Sequence, residues 1–192
     1  MIISFLGLSG AGKTYYSTNF FADHKYKLIK IHNRFEKYFF LFIFFFTHPI
    51  FSISLLRIMV FENKGNKKLL IYKIKHLFFL VLAREGKSLF FKNPIIDDGI
   101  FQFLLSIFER KISDNDLIFF KKVLKRRKII IYMLEASREM RLNRMKKRKR
   151  FPRMHSFGEK YFYHWLDIGE YNYVVIKDFI IRNFDYKIIE NN

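Results

Sequence analysis

Apolar residues gather in short blocks along this chain, and the period within each block says what it can become. Residues 2–7, IISFLG, are an unbroken apolar run ending on glycine, the length of a buried strand. A glycine-containing turn follows, then a stretch from Lys13 to about Ala22 that suits a helix. Residues 26–32, YKLIKIH, alternate Lys with Leu and Ile, as an edge strand does. Further on, NPIID at 93–97 reads as an apolar strand ending in a carboxylate, with a helical pattern after it. KIIIYMLEA at 128–136 is the clearest strand of all, and FDYKIIENN at 184–192 predicts the last one. Between these, SDNDLIFFKKVLKRRK opens with Ser113 as a capping residue and an acidic first turn, and ends in bases, as a helix dipole prefers. SREMRLNRMKKRKR at 137–150 predicts a strongly basic helix. There is no internal repeat. Strands alternating with helices imply an α/β domain whose parallel sheet is covered on both faces.

One block breaks this rhythm. Residues 38–56, YFFLFIFFFTHPIFSISLL, carry no formal charge between Lys37 and Arg57 and are long enough to cross a bilayer. Pro49 disfavours one continuous helix, and His48 would be polar at the depth where polarity costs most. Two covering helices hinged at His48–Pro49 are therefore favoured over a membrane span or a surface anchor.

The chain is 192 residues long, with 36 Lys+Arg against 17 Asp+Glu and a formal charge of +19. The length fits one domain, 1–192, in which 33–92 form a helical region and 137–153 a basic one. A field of that sign attracts nucleotides, nucleic acid or an anionic membrane. With 26 Phe and abundant Ile and Asn beside the Lys, lysine also reads as the default surface residue, and no stacking motif is interleaved with the basic helix. Nucleic acid is accordingly not favoured as a partner. Cysteine is absent, which excludes disulfides and thiolate chemistry, and MIISFLGLSG lacks the basic start of an export signal. The expected location is the cytoplasm.

Three stretches carry chemistry. GLSGAGKT, Gly7 to Thr14, satisfies G-x-x-x-x-G-K-[ST] in the strand–turn–helix setting that gives this pattern its meaning. Glycines let successive N–H groups converge on a phosphate at a helix N-terminus; Lys13 supplies a charge for the β and γ oxygens, and the Thr14 hydroxyl suits Mg2+. The nucleotide-binding set is then Gly7, Ser9, Gly10, Ala11, Gly12, Lys13, Thr14 and Tyr15. IIDDG places Asp97 and Asp98 at the end of a strand, where ligands of open parallel sheets bind. One of the two would hold Mg2+ through water or orient the acceptor. Finally, Arg138, Arg141, Arg144 and Arg148 lie at i, i+3, i+6 and i+10, within roughly a third of a helix circumference. Planar guanidiniums on one face suit the spread charge of a phosphoryl group.

These three elements together resemble the thymidylate kinase-like branch of the nucleoside and nucleotide kinases, with matches in GLSGAGKT, PIIDDGIFQ and MLEASREMRLNRMKKR. In the last, Leu134, Glu135, Leu142, Arg144 and Arg148 follow the family's strand, acidic residue, turn and L-x-R-x-x-x-R pattern. The resemblance implies a three-layer P-loop kinase fold with a five-stranded parallel core, Mg-ATP as donor and a small-molecule acceptor. It also implies a lid in which Arg144 and Arg148 close over the phosphates, and Asp97 as catalytic carboxylate and Mg2+ partner. Thymidylate kinases carry an arginine after that carboxylate, whereas this chain has Asp98 and Gly99, which would repel a nucleotide monophosphate. D-D-G…Q with a His-Pro helix break is similar to the kinase-like ATP-binding proteins that accompany bacterial surface-polysaccharide genes. An ATP-dependent switch or assembly factor at the membrane is the alternative reading.

Overall fold

The computed structural model describes residues 1–19, 26–124, 128–149 and 151–191. Its sheet has five strands, all parallel: β1 (Ile2–Gly7), β2 (Lys27–Leu28), β3 (Pro94–Ile96), β4 (Ile129–Glu135) and β5 (Asp185–Glu190), in the order β2-β3-β1-β4-β5. The apolar run IISFLG is thus the central strand. It is paired along its length with β4, from Ile2 opposite Ile129 to Gly7 opposite Leu134. The chain fills one side of β1 before crossing to the other, so the carboxyl end of β1 faces the crevice where ligands of such sheets bind.

Helices cover both faces, as the alternation of elements requires. α1 (Lys13–Asn19) follows the phosphate loop. Its expected continuation to Ala22 lies outside the described residues. α2 (Arg34–Thr47) starts on a reciprocal cap in which Asn33 Oδ1 accepts from Glu36 N at 2.8 Å and Glu36 Oε2 accepts from His32 N at 2.7 Å. It stops at His48, and Pro49 opens α3 (Pro49–Glu62), the first helical position being the one where proline's missing N–H costs nothing. The two helices are bent by 109°. Among the described residues no single helix is long and apolar enough to cross a membrane. α4 (Lys67–Lys73) runs through a π-helical turn, Ile74–Phe78, into α5 (Phe79–Ser88). α6 (Ile100–Ile107) follows β3, and α7 (Asp114–Leu124) precedes β4. α8 (Arg138–Lys147), α9 (Met154–Phe157) and the long α10 (Glu159–Asn183) separate β4 from β5.

On the larger face of the sheet, Leu6, Ile131 and Met133 pack under α2 to α7 and α10, with Phe44, Leu55, Leu104 and Ile176 at the centre. Ile3, Phe5, Tyr132 and Leu134 point the other way, toward Ala11 and Tyr16. The period-two pattern of β1 and β4 is what separates these two sets. Residues 26–32 give only two paired residues, because β3 offers three and β2 is the edge of the sheet. The outer face of α2 stays uncovered: Phe35, Phe39, Phe42 and Phe46 are each half or more exposed.

Candidate active site

β1 ends at Gly7 and α1 begins at Lys13, so the loop between them turns at the carboxyl edge of the central strand. Gly10 and Gly12 adopt φ of +86° and +101°, the left-handed region that side chains resist. At Gly10 space is decisive as well, since a Cβ there would stand 2.6 Å from the carbonyl oxygen of Arg141. The loop therefore lies directly on the backbone of α8.

Ser9, Gly10, Gly12, Lys13 and Thr14 line a cavity of about 180 Å³. Its opposite wall is made of Asp98, Arg144, Met145, Arg148 and Pro152. The Lys13 ammonium donates to Gly7 O at 2.7 Å. Desolvation lowers its pKa from the ordinary lysine value, and the charges of Asp98 and Asp97 oppose that fall. Gly7 N in turn donates to Gln102 Oε1 at 3.2 Å, tying the loop to α6. A second cavity, of about 780 Å³, shares Gly12, Arg144 and Arg148 with the first and is walled by Tyr15, Tyr16, Lys147 and Asn191. Ala11 is buried beneath the loop and lines neither space.

The four arginines of α8 divide their work. Arg138 reaches Asp167 at 2.7 Å and Glu170 at 3.2 Å, while Arg141 is buried and paired with Glu170, so both hold α8 to α10. Only Arg144 and Arg148 turn to the loop, and the single phosphate-facing surface expected of all four is in fact two surfaces. The division runs along the helix rather than around it: at about 1.5 Å per residue Arg138 and Arg141 stand in the first turns, level with Asp167 and Glu170 of α10, and Arg144 and Arg148 lie further on, at the loop. Arg144 donates to Gly10 O at 3.4 Å and to Asn191 Oδ1 at 3.2 Å; Asn191 Nδ2 closes the ring on Ala11 O at 2.8 Å. Arg150 lies outside the described residues.

The adjacent carboxylates, expected to face different ways, both reach one guanidinium, that of Arg84. Asp98 lines the cavity at the loop, whereas Asp97 is not among its lining residues and is 16% exposed, 3.6 Å from the guanidinium of Arg84. The same guanidinium is 3.3 Å from Asp98. Burial raises the pKa of Asp97; Arg84 works against that rise and the charge of Asp98 adds to it. Among the described residues no three His, Asp or Glu side chains converge on a metal position. A cation here would depend on hard oxygen donors from Thr14, one carboxylate and phosphate.

No family model matches the sequence, and no curated protein does either. Solved structures do match. The deoxyadenosine kinase from M. mycoides with the products dCMP and dCDP bound is similar over 98% of this chain and 89% of its own, at 16% identity and a TM-score of 0.54. The same enzyme with dATP bound is similar over 99% of this chain and 91% of its own, at 16% identity and a TM-score of 0.50. The fold is that of a deoxynucleoside kinase. Within this kinase fold several residues at the site escape sequence reasoning. Arg84 stands in the sequence as a lone arginine within an apolar stretch, and its partners, Asp97 and Asp98, come from the far end of β3. Asn191 gives no local signal, since it reaches the loop only because β5 pairs with β4 up to Glu190. Gln102, in the first turn of α6, is the link between that helix and Gly7.

Proposed function

We propose that this protein is an ATP-dependent phosphotransferase of the nucleoside kinase kind, acting on the hydroxyl of a small uncharged acceptor. The observation that carries the reading is the 180 Å³ cavity, where a glycine-rich loop, Lys13, Thr14, Arg148 and Asp98 converge on a space of phosphate size. Loop amides and Lys13 would hold the β and γ phosphates. The 780 Å³ space beside Tyr15 and Arg144 has the size of a nucleotide pocket and would take the base and ribose. Mg2+, held by Thr14 and through water by the pocket-facing Asp98, would neutralise developing phosphate charge. In the transfer, the acceptor oxygen bonds to the γ-phosphorus, the bond to the bridging oxygen of ADP breaks, and the hydroxyl proton passes to the Asp98 carboxylate. Arg144 and Arg148 would stabilise the charge spread over the γ oxygens.

The acceptor is uncharged in this reading because Asp98 adds negative charge to the cavity and Arg84, the cation beside it, is already shared by Asp98 and Asp97. Deoxyadenosine kinases, whose fold this chain shares, take a nucleoside by name. Titrating Mg-ATP into Lys13→Ala should show affinity weaker by about a hundredfold, the scale of losing a charged phosphate contact. Unchanged affinity would sink the assignment. A screen of nucleosides against their monophosphates should yield phosphorylation of the nucleosides, and turnover confined to monophosphates would overturn the argument from Asp98.

A further inference from the structure

The basic segment that closes over the phosphate cavity is fastened at its far end by a residue with no place in the chemistry above. Arg153 follows Pro152, the last cavity-lining residue of that segment, and has φ of +66°, which non-glycine residues adopt only where surroundings enforce it. It is also only 6% exposed, so its charge is carried into the interior. Both costs are met by an enclosing set of partners. Its guanidinium donates to Glu109 Oε1 at 2.7 Å, to the Tyr161 hydroxyl at 2.9 Å and to Ser106 O at 3.0 Å. Tyr161 donates to the other oxygen of Glu109 at 2.6 Å. Beneath Glu109, the fully buried Lys73 pairs with the same carboxylate and donates to Ile107 O at 2.9 Å. The guanidinium carbon lies 4.9 Å from the ring of Trp165. Burial alone would raise the pKa of Glu109, yet Arg153 and Lys73 together hold it lowered, so the carboxylate is a charged anchor.

The positions of these partners give the fastening its meaning. Ser106 belongs to α6 and Glu109 lies just past its end, and α6 starts beside Asp98 and Gly99. Arg144, Arg148 and Pro152 precede Arg153 on one continuous segment. One side chain thus joins the phosphate-facing arginines to the helix that begins at the acceptor carboxylate. We propose that Arg153 is a positioning residue whose ion pair with Glu109, bonds to Tyr161 and Ser106 and stack on Trp165 latch the lid segment at the distance where Arg144 and Arg148 face the phosphates. This rests on the reading of the loop as an ATP site. Beside the latched arginine only about 40 Å³ remains between Ser9, Gln102, Ser106 and Trp165, room for a few waters.

Trp165 is the only tryptophan of the chain, which makes its emission a direct report on the stack. In Arg153→Ala, emission should shift and tryptic cleavage at Lys146, Lys147 and Lys149 should quicken about tenfold, because the segment reopens. Mg-ATP turnover should fall about tenfold while Mg-ATP affinity changes by less than about threefold, the pattern of a contact used in the transition state. Tyr161→Phe, which removes one contact and keeps the ion pair, should move all four readouts the same way by less, and it carries the test should Arg153→Ala not fold. Unchanged emission and cleavage in both variants would overturn the latch, as would equal losses of affinity and turnover. Cleavage and emission need no nucleotide, so a loop that fails to bind ATP is recognised separately from a latch that fails to hold.

Discussion

Two glycines, Gly10 in the glycine loop and Gly86 in α5, both sit too close to a neighbouring backbone to admit a Cβ, yet for different reasons. At Gly10 the chain itself demands glycine, through φ of +86° inside an eight-residue motif. At Gly86 the backbone is ordinary helix, and the demand comes from α2 crossing it: a Cβ would stand 2.2 Å from Phe40 O and 3.2 Å from Phe44 Cβ. The first is local and can be read in a string of letters. The second exists only once two helices 46 residues apart in sequence, as Phe40 and Gly86 are, have met. The phosphate side of this molecule is built mostly from demands of the first kind, and the helical side, residues 34–88, from demands of the second.

The largest expected effect separates the two. Gly86→Ala should destabilise the fold by about 3 kcal/mol, the upper range of overpacking against an unyielding backbone. That is a fall in Tm of about 9 °C for a chain of this size. Affinity for Mg-ATP, measured well below the transition, should be unaltered, because α5 lines neither cavity at the glycine loop. If Gly86→Ala weakened ATP binding at unchanged stability, the division between the halves would not stand.

The same division explains what was legible. The central strand, the glycine loop and the break at Pro49 rest on local geometry, and each is found where its residues predict it. Residues 26–32 alternate like a strand, yet pairing is limited by the three residues of β3, a partner 67 positions away when Lys27 meets Pro94. On α8 the spacing of four arginines is visible in the sequence, but the acids that claim Arg138 and Arg141 lie on α10. Arg84 and Arg153 are further cases, one partly buried and one buried charge whose partners come from other elements. Polar residues in apolar surroundings are where pattern fails, since only tertiary contacts decide whether such a group is satisfied.

A smaller effect should arise from the carboxylate pair that separates the halves. Burial raises the pKa of Asp97, so its charged form is less favoured in the folded state than in the unfolded chain. Its ionisation therefore works against folding at neutral pH, and that burden lifts as pH falls toward the ordinary carboxylate range near 4. Asp97→Asn should accordingly raise Tm at pH 7, with the gain vanishing at pH values where the wild type is protonated. Turnover should drop by about tenfold, since Asp97 shares Arg84 with Asp98 and its loss leaves that guanidinium to hold Asp98 away from the acceptor. Thermal melts between pH 4 and 8 check the first part, and a stabilised variant with full activity would make Asp97 merely structural.

The smallest effect lies on the helical side and has the opposite sign. Asp116, in the first turn of α7, accepts from Arg110 at 2.6 Å and from Ser113 N at 2.8 Å, and these contacts, with the Arg110 hydrogen bond foremost, lower its pKa to about 2. A carboxyl whose folded pKa lies below its unfolded value contributes stability above pH 4 and loses it as pH falls through 2. Arg110 is half exposed, and Glu62 shares it at 3.0 Å, so screening and the second partner reduce what the shift alone would suggest. Asp116→Asn should cost about 1 kcal/mol at pH 7, part of it from the helix start and part from the ion pair. The cost should shrink toward zero near pH 2, the reverse of the trend for Asp97→Asn. Denaturant titrations of both variants over one pH series would show the two curves approaching wild type from opposite sides: a buried acid that burdens the fold beside the phosphates, and a paired acid that supports it far from them.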